Sequence, residues 1–141
     1  MFTKDWTPFT MPTGETIYRP TIKVFVKEVT DFYLYRFLVD SGADLLMAPY
    51  SLFCKLGKKW EDGEKRFLRG ISPKEECIVE GRVHDVDILI GEISVQINIS
   101  ICFVKENVPF ILGRESFFNY FIITFDKPAK KTTFAFVDTS I

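Results

Sequence analysis

The stretch FLVDSGADLLMAP, residues 37–49, decides which fold the sequence predicts. Its first residues, Phe37, Leu38 and Val39, are apolar and predict a buried strand that ends on an acid, Asp40. The hydroxyl residue, glycine and alanine that follow complete a D-S-G-A sequence. A carboxylate at the end of a buried strand costs free energy unless it is hydrogen-bonded or has a function. The alternative is a plain turn, since Asp bonds its own backbone and Gly permits positive φ.

Two further stretches accompany this acid loop. VPFILGRESFF, residues 108–118, places two aliphatic residues and a Gly-Arg pair before a short predicted helix, and YRPTIKV, residues 18–24, precedes the loop. Together they resemble the retroviral-type (retropepsin-like) aspartic proteases, whose sequences carry a D-[ST]-G-A loop and, later, two aliphatic residues before Gly-Arg. The resemblance covers residues 18–126. It implies a mainly-β, closed, barrel-like acid-protease fold with one or two short helices.

The resemblance also implies which residues carry the chemistry. Asp40 would be the catalytic residue of an aspartic endopeptidase. The active-site loop would comprise Ser41, Gly42 and Ala43, and the structural support Ile111, Leu112, Gly113 and Arg114. Arg114 would reach back to Asp44, although a surface charge at the start of a helix is the alternative. Arg19 matches a position that approaches the partner subunit in viral members.

A bound peptide would lie extended along the cleft, adding a strand to its edges. The candidate substrate-binding residues are Gly42, Asp44, Leu45, Leu46, Gly70 and Ile71. The last two belong to a flap hairpin predicted over residues 66–81, for which an ordinary surface hairpin is the alternative. The apolar members predict a preference for hydrophobic residues on either side of the cleaved bond.

The sequence contains a single D-[ST]-G, whereas this chemistry needs two carboxylates facing one water. EDG at residues 61–63 lacks the hydroxyl, and VDTS at residues 137–140 lacks the glycine. The second acid must therefore come from a second copy across a twofold axis, which predicts a homodimer. Two alternatives remain open: a non-catalytic peptide-binding or dimerisation module of the same fold, and an unrelated β-barrel with a chance turn.

Composition excludes several other classes. At 141 residues with a net charge of −1, the chain suits one domain and gives no electrostatic case for nucleic acid or an anionic membrane as partner. One histidine and three scattered cysteines argue against a zinc site, and no cofactor is implied.

His84 is predicted on a hairpin surface, since no Ser or Cys stands in a nucleophile setting. Without a signal-like apolar run, the sequence predicts a soluble, cytoplasmic protein.

Most of the chain has strand patterns. Residues 1–15 predict a flexible N-terminal arm, ahead of one protease domain over residues 16–141. Strands are predicted at 21–26 and 32–39, a hairpin at 82–90 and 92–104, and a second hairpin around KPAK. Helices are predicted at 49–57 and 114–120. The C-terminal hairpin and the 15 phenylalanines predict the dimer surface.

Overall fold

The computed structural model describes residues 1–69 and 78–137, so Gly70 and Ile71 of the predicted flap lie outside the described residues. The strands are β1 (Phe2–Asp5), β2 (Thr7–Thr10), β3 (Thr16–Arg19), β4 (Thr21–Glu28), β5 (Asp31–Val39), β6 (Leu46–Pro49), β7 (Glu64–Leu68), β8 (Val79–Ile90), β9 (Val95–Val104), β10 (Ile111–Leu112), β11 (Phe121–Asp126) and β12 (Lys131–Phe136). The helix α1 spans Tyr50–Phe53, and 3-10 turns span Trp60–Asp62 and Phe117–Asn119.

Six strands form a closed barrel in the order β4, β5, β10, β6, β9, β8. The barrel closes where β8 returns to β4, with Phe25 opposite Leu89 and Val26 opposite Ile88. β7 extends the sheet beyond β8. The mainly-β, closed-barrel prediction is therefore confirmed.

Alternation of side chains builds the barrel core. In β4, Ile22, Val24 and Val26 are buried, whereas Lys23 between them is exposed. Since side chains on a strand point alternately to opposite faces, this pattern fixes which face of β4 covers the core. Phe37 and Val39 of β5 are buried on the same core, as the apolar lead-in to Asp40 predicts.

The two-residue strand β10 positions the acid loop. It runs parallel to β5, with Ile111 opposite Leu38 and Leu112 opposite Val39. On its other side it runs antiparallel to β6, with Ile111 opposite Met47. The loop between β5 and β6 is thus held at both ends by strands that share β10 as their neighbour.

The helices are shorter than the sequence predicts. The helix expected over residues 49–57 is α1, of four residues, followed by turns that end at Gly57 with φ of +70°. Leu52 and Phe53 are the buried residues of α1, and both lie within its single turn. The helix expected over residues 114–120 is reduced to the 3-10 turn Phe117–Asn119.

Both chain ends contribute to a separate sheet of three strands in the order β1, β12, β11. The hairpin of β11 and β12 was predicted and is present. Residues 1–15, predicted as a flexible arm, contain β1 and β2. The Phe2 ring stacks on Phe134 with centroids 5.0 Å apart, and β2 pairs with β3. Residues 1–15 therefore contain paired strands, which their polar composition does not predict.

His84 does not lie on a hairpin surface, as the sequence predicts, but is buried at 6% exposure. It belongs to β8, and its ring lies 4.7 Å from that of Phe53 in α1 and 6.4 Å from that of Trp60. The prediction is wrong because α1 and the following 3-10 turn cover this face of the barrel.

Candidate active site

The acid loop begins where β5 ends. The Asp40 backbone N–H donates to the Leu112 carbonyl at 3.0 Å, and the Val39 N–H donates to the Pro20 carbonyl at 2.9 Å. The Gly42 N–H donates to Asp40 Oδ1 at 2.9 Å, so the backbone of the loop orients the carboxylate. Asp40 is half-buried, while the next two residues of the loop are exposed. The arrangement presents one oriented carboxylate at the protein surface.

β10 and the residues after it brace the loop. The Arg114 N–H donates to the Ala43 carbonyl and the Glu115 N–H to the Asp44 carbonyl, each at 2.9 Å. Gly113 immediately precedes these two residues: a Cβ there would come within 2.8 Å of the Ala43 carbonyl oxygen and closer still to that of Leu45. Only glycine allows this close approach of two backbones. β10 and the Gly113 that follows it therefore lie against the acid loop.

The side chain of Arg114 also donates to the Asp44 carboxylate. The two side chains are 54% and 76% exposed, respectively. Ion pairs this open to water contribute little, because solvent screens the attraction and ordering two side chains costs entropy. The backbone hydrogen bonds, rather than this ion pair, hold the loop to β10.

We therefore expect Arg114→Met to lower the free energy of unfolding by no more than about 1 kcal/mol. The variant keeps the Arg114 N–H that donates to Ala43 and loses only the exposed ion pair. Urea denaturation of the variant, beside Asp44→Asn as the reciprocal change, measures the effect. A loss of several kcal/mol in either variant would contradict the assignment of the bracing to the backbone.

A groove of about 480 Å³ lies beside the acid loop. Its lining comprises Ala43, Asp44, Leu45, Met47, Leu68, Arg69, Asn107, Val108, Pro109 and Ile111. This volume falls in the range of small-ligand and side-chain pockets. The mixture of apolar walls and a few polar groups suits an apolar side chain flanked by a polar backbone.

The groove contains two of the four predicted substrate-binding residues that the structure describes and lacks the other two, Gly42 and Leu46. Asp44 and Leu45 line it. Leu46 does not, because it is 1% exposed and packs in the barrel core. The alternation along β6 turns Met47, rather than Leu46, toward the groove. All four residues of L-M-A-P are apolar, so the sequence contains no signal that separates Met47 from Leu46; the burial alternates only in the structure.

The segment 107–109 was missed as well. Asn107, Val108 and Pro109 line the groove because they lead directly into β10, which lies beside the loop. Once β10 is placed next to Asp40, the residues just before it are the natural wall of a neighbouring groove. The sequence predicted no role for residues 107–109, because the predicted structural support begins at Ile111.

The predicted flap corresponds to the hairpin of β7 and β8. Leu68 pairs with Val79 at its described end, and Leu68 and Arg69 line the groove. The far end of β7 thus forms one wall beside Asp44. The tip residues predicted for the flap fall outside the described residues.

Arg19 lies at the end of β3, with its guanidinium 5.3 Å from the centre of the Phe9 ring. This contact within one chain holds the cation near the N-terminal hairpin. An approach to a partner subunit stays a prediction.

The part of the chain that the structure describes contains neither a candidate metal site nor a candidate membrane-spanning helix. Over residues 1–69 and 78–137, no group of three or more His, Cys, Asp or Glu could hold a metal ion. Within the same ranges, no helix has the length and apolar character needed to cross a membrane.

Comparison with known proteins identifies the class of fold. A retropepsin-like aspartic protease from Rickettsia conorii aligns with a TM-score of 0.61 and 16% sequence identity, covering 94% of this chain and 98% of that chain. The EIAV protease, solved with an inhibitor, aligns with a TM-score of 0.46 and 25% identity, covering 68% of this chain and 82% of that chain. No protein-family model and no curated protein matches the sequence.

The similarity to the Rickettsia structure extends over nearly the whole of both chains. This chain therefore has the retropepsin-like fold, and that prediction is confirmed. At 16% identity the similarity concerns the fold, while the chemistry has to be argued from the acid loop itself.

Proposed function

We propose that this chain is an aspartic endopeptidase that acts as a homodimer, with one Asp40 from each copy at a shared site. The observation that carries the proposal is the acid loop. Asp40 follows the buried end of β5, its carboxylate accepts the Gly42 N–H, and β10 braces the loop from the other side. A plain turn would need none of this bracing, and a half-buried carboxylate costs free energy that a catalytic role explains.

The proposed chemistry follows from bringing two such carboxylates together. At about 3 Å apart they cannot both be ionised, so they share one proton, as in aspartic proteases generally. The ionised carboxylate takes a proton from a water, whose oxygen attacks the peptide carbonyl carbon. The protonated carboxyl donates its proton to the carbonyl oxygen as negative charge develops there, which gives a tetrahedral intermediate. When this intermediate collapses, the C–N bond breaks, and the carboxyl that took the proton from water delivers it to the leaving amine nitrogen. The reaction needs no cofactor.

The edge of the terminal sheet supports docking of a second copy. In the described part of the chain, β11 pairs with β12 on one side and with no strand on the other. Ile122 on β11 is 66% exposed, and Phe125 and Phe136 are also partly exposed. An exposed apolar edge strand pairs readily with another chain. The predicted dimer surface on the C-terminal hairpin is consistent with this edge.

A subunit-mixing experiment tests whether two copies share one site. Wild-type protein is mixed with an equal amount of an Asp40→Asn variant and allowed to exchange subunits, and the cleavage of a peptide library is measured. Random pairing leaves about a quarter of the dimers with two Asp40 residues, so activity falls to about a quarter of that of the same total wild-type protein. Independent monomers would retain about half.

Sedimentation of each protein alone supplies the control for mixing. We expect a dimer at micromolar concentration for both the wild type and the variant. A strictly monomeric protein that still cleaves peptides would contradict the shared site. A dimer that binds peptides without cleaving any would instead identify the chain as a non-catalytic binding module.

A further inference from the structure

His84 is buried without a complete set of hydrogen bonds. Its Nε2 atom has no hydrogen-bond partner among the described residues. Around the ring lie Phe53, Trp60 and Phe103, with ring centroids 4.7, 6.4 and 6.1 Å away, respectively. A neutral imidazole tolerates this setting, since an unprotonated ring nitrogen needs no acceptor. A protonated ring would place an N–H⁺ there with nothing to accept it.

The backbone of Gly63 closes over the ring. A Cβ at Gly63 would lie 2.7 Å from Cδ2 of His84, 2.8 Å from Cε1, and closer still to Nε2. The imidazole and the Gly63 backbone are therefore in direct contact. A change in the position of the ring therefore changes its contact with Gly63.

Gly63 immediately precedes β7, so this contact lies at the base of the β7–β8 hairpin. Glu64, the first residue of β7, pairs with Val83 next to His84. Arg82 also stabilises the base of the hairpin, because its guanidinium donates to the Gly63 carbonyl at 3.1 Å and the Glu61 carbonyl at 3.3 Å. At the other end of the strand, Leu68 lines the groove beside Asp44. The five residues of β7 thus link the imidazole to the groove wall.

Charged side chains lie around His84 at the base of the β7–β8 hairpin. Lys58 and Lys59 precede the 3-10 turn, Asp62 lies in that turn, Glu64 begins β7, and Arg82 and Asp85 flank His84 on β8. Burial lowers the pKa of His84 below its ordinary value. A hydrogen bond to the Trp60 backbone and the charge of Asp62 oppose this lowering of the pKa, while Lys58 and Arg82 add to it. The lowering by burial prevails, so the neutral ring is the form that the folded protein favours.

We propose that His84 is a pH-sensitive latch at the base of the β7–β8 hairpin. When neutral, its ring packs against Gly63 and fixes the start of β7; when protonated, it must reach water, which releases Gly63 and loosens the strand. The latch is a property of the fold. The functional consequence is that the β7 wall of the groove moves more easily at acidic pH, and this consequence rests on the proposed protease function.

The direction of the pH dependence follows from proton linkage. An unfolded or locally opened hairpin exposes a histidine of ordinary pKa, about 6.5, whereas the closed hairpin holds one of lower pKa. The open form binds the proton more tightly, so the closed form loses stability as the pH falls below about 6.5. The loss continues until the pH reaches the pKa of the closed form. Above about 6.5 both forms are neutral and the latch is fully engaged.

The test combines two measurements on the full chain. His84 is the single histidine in the sequence, so an NMR titration reads its imidazole without ambiguity. Hydrogen exchange of the amides of β7, corrected for the intrinsic dependence of exchange on pH, reads the opening of the hairpin. We expect a pKa below 6.5 and a protection of β7 that falls by up to about tenfold per pH unit below it. The amides of β11 and β12, far along the chain, serve as the internal control.

Two variants separate the latch from general acid sensitivity. His84→Phe keeps a ring against Gly63 but cannot be protonated, and His84→Asn provides a smaller non-titrating side chain if phenylalanine does not fit. Both are expected to lose the acid loosening of β7. An imidazole that titrates at or above 6.5, equal acid loosening in both variants, or an equal loss of protection in β11 would overturn the proposal. None of these readouts depends on peptide cleavage, so the latch and the protease function can fail separately.

Discussion

Replacing Asp40 with Asn is expected to abolish peptide cleavage while the protein stays folded. An amide can neither take the proton of the attacking water nor share a proton with a second carboxylate. General acid–base catalysis typically accelerates reactions by roughly 10²–10⁴-fold, and a homodimer loses both of its acids at once. The asparagine keeps an oxygen that can accept the Gly42 N–H, so the loop has no reason to unfold. Cleavage of a mixed peptide library at pH 4–7, with circular dichroism of the same samples, measures both effects.

Asp31→Asn is the matched control for this change. Asp31 is exposed at the turn where β5 begins, at the opposite end of that strand from Asp40. The Asp31→Asn change removes one negative charge at the other end of β5, so a general effect of charge on solubility or stability appears in both variants. We expect Asp31→Asn to retain wild-type activity. Full activity in Asp40→Asn would rule out the proposed catalytic aspartate.

The acid loop and its brace could be predicted from sequence because their signals are local and specific. An apolar strand that ends on D-S-G-A, and two aliphatic residues before Gly-Arg, are short patterns with a definite backbone requirement. At Gly113 the structure supplies the physical reason, since the carbonyl oxygens of Ala43 and Leu45 leave no space for a side chain. The sequence could indicate that a glycine was needed without showing which atoms required it.

The features that the sequence did not predict depend on register and on distant packing. Leu46 and Met47 are both apolar neighbours, and only the pairing of β6 with β9 and β10 decides which of them turns to the core. His84 could be placed on β8, but its burial depends on α1 and Trp60, which come from elsewhere in the chain. Of the strands in residues 1–15, β1 depends on a partner more than a hundred residues away, as the pairing of Phe2 with Phe134 shows. A local pattern contains none of this information.

The second large effect is expected for Gly113→Ala, which should lower both stability and activity. Its Cβ would collide with carbonyl oxygens of Ala43 and Leu45, and backbone atoms cannot rotate away as a side chain can. Overpacking of this kind costs about 1–3 kcal/mol in unfolding free energy. The collision also pushes on the loop that carries Asp40, and a misplacement of about 1 Å at a catalytic group can cost on the order of 10²-fold in rate.

Gly91→Ala provides the control that separates this collision from the general effect of adding a methyl group to a glycine. At Gly91 the nearest atom to a new Cβ is Cε2 of the Phe25 ring at 3.3 Å, which belongs to a side chain that can shift. Urea denaturation and peptide cleavage are measured for both variants. We expect Gly113→Ala to lose far more of each than Gly91→Ala, because Gly91 lies in the turn between β8 and β9, away from the acid loop. If the two variants had equal stability and equal activity, β10 could not be bracing the loop through this contact. The position of Asp40 would then have to depend on the β5 strand alone.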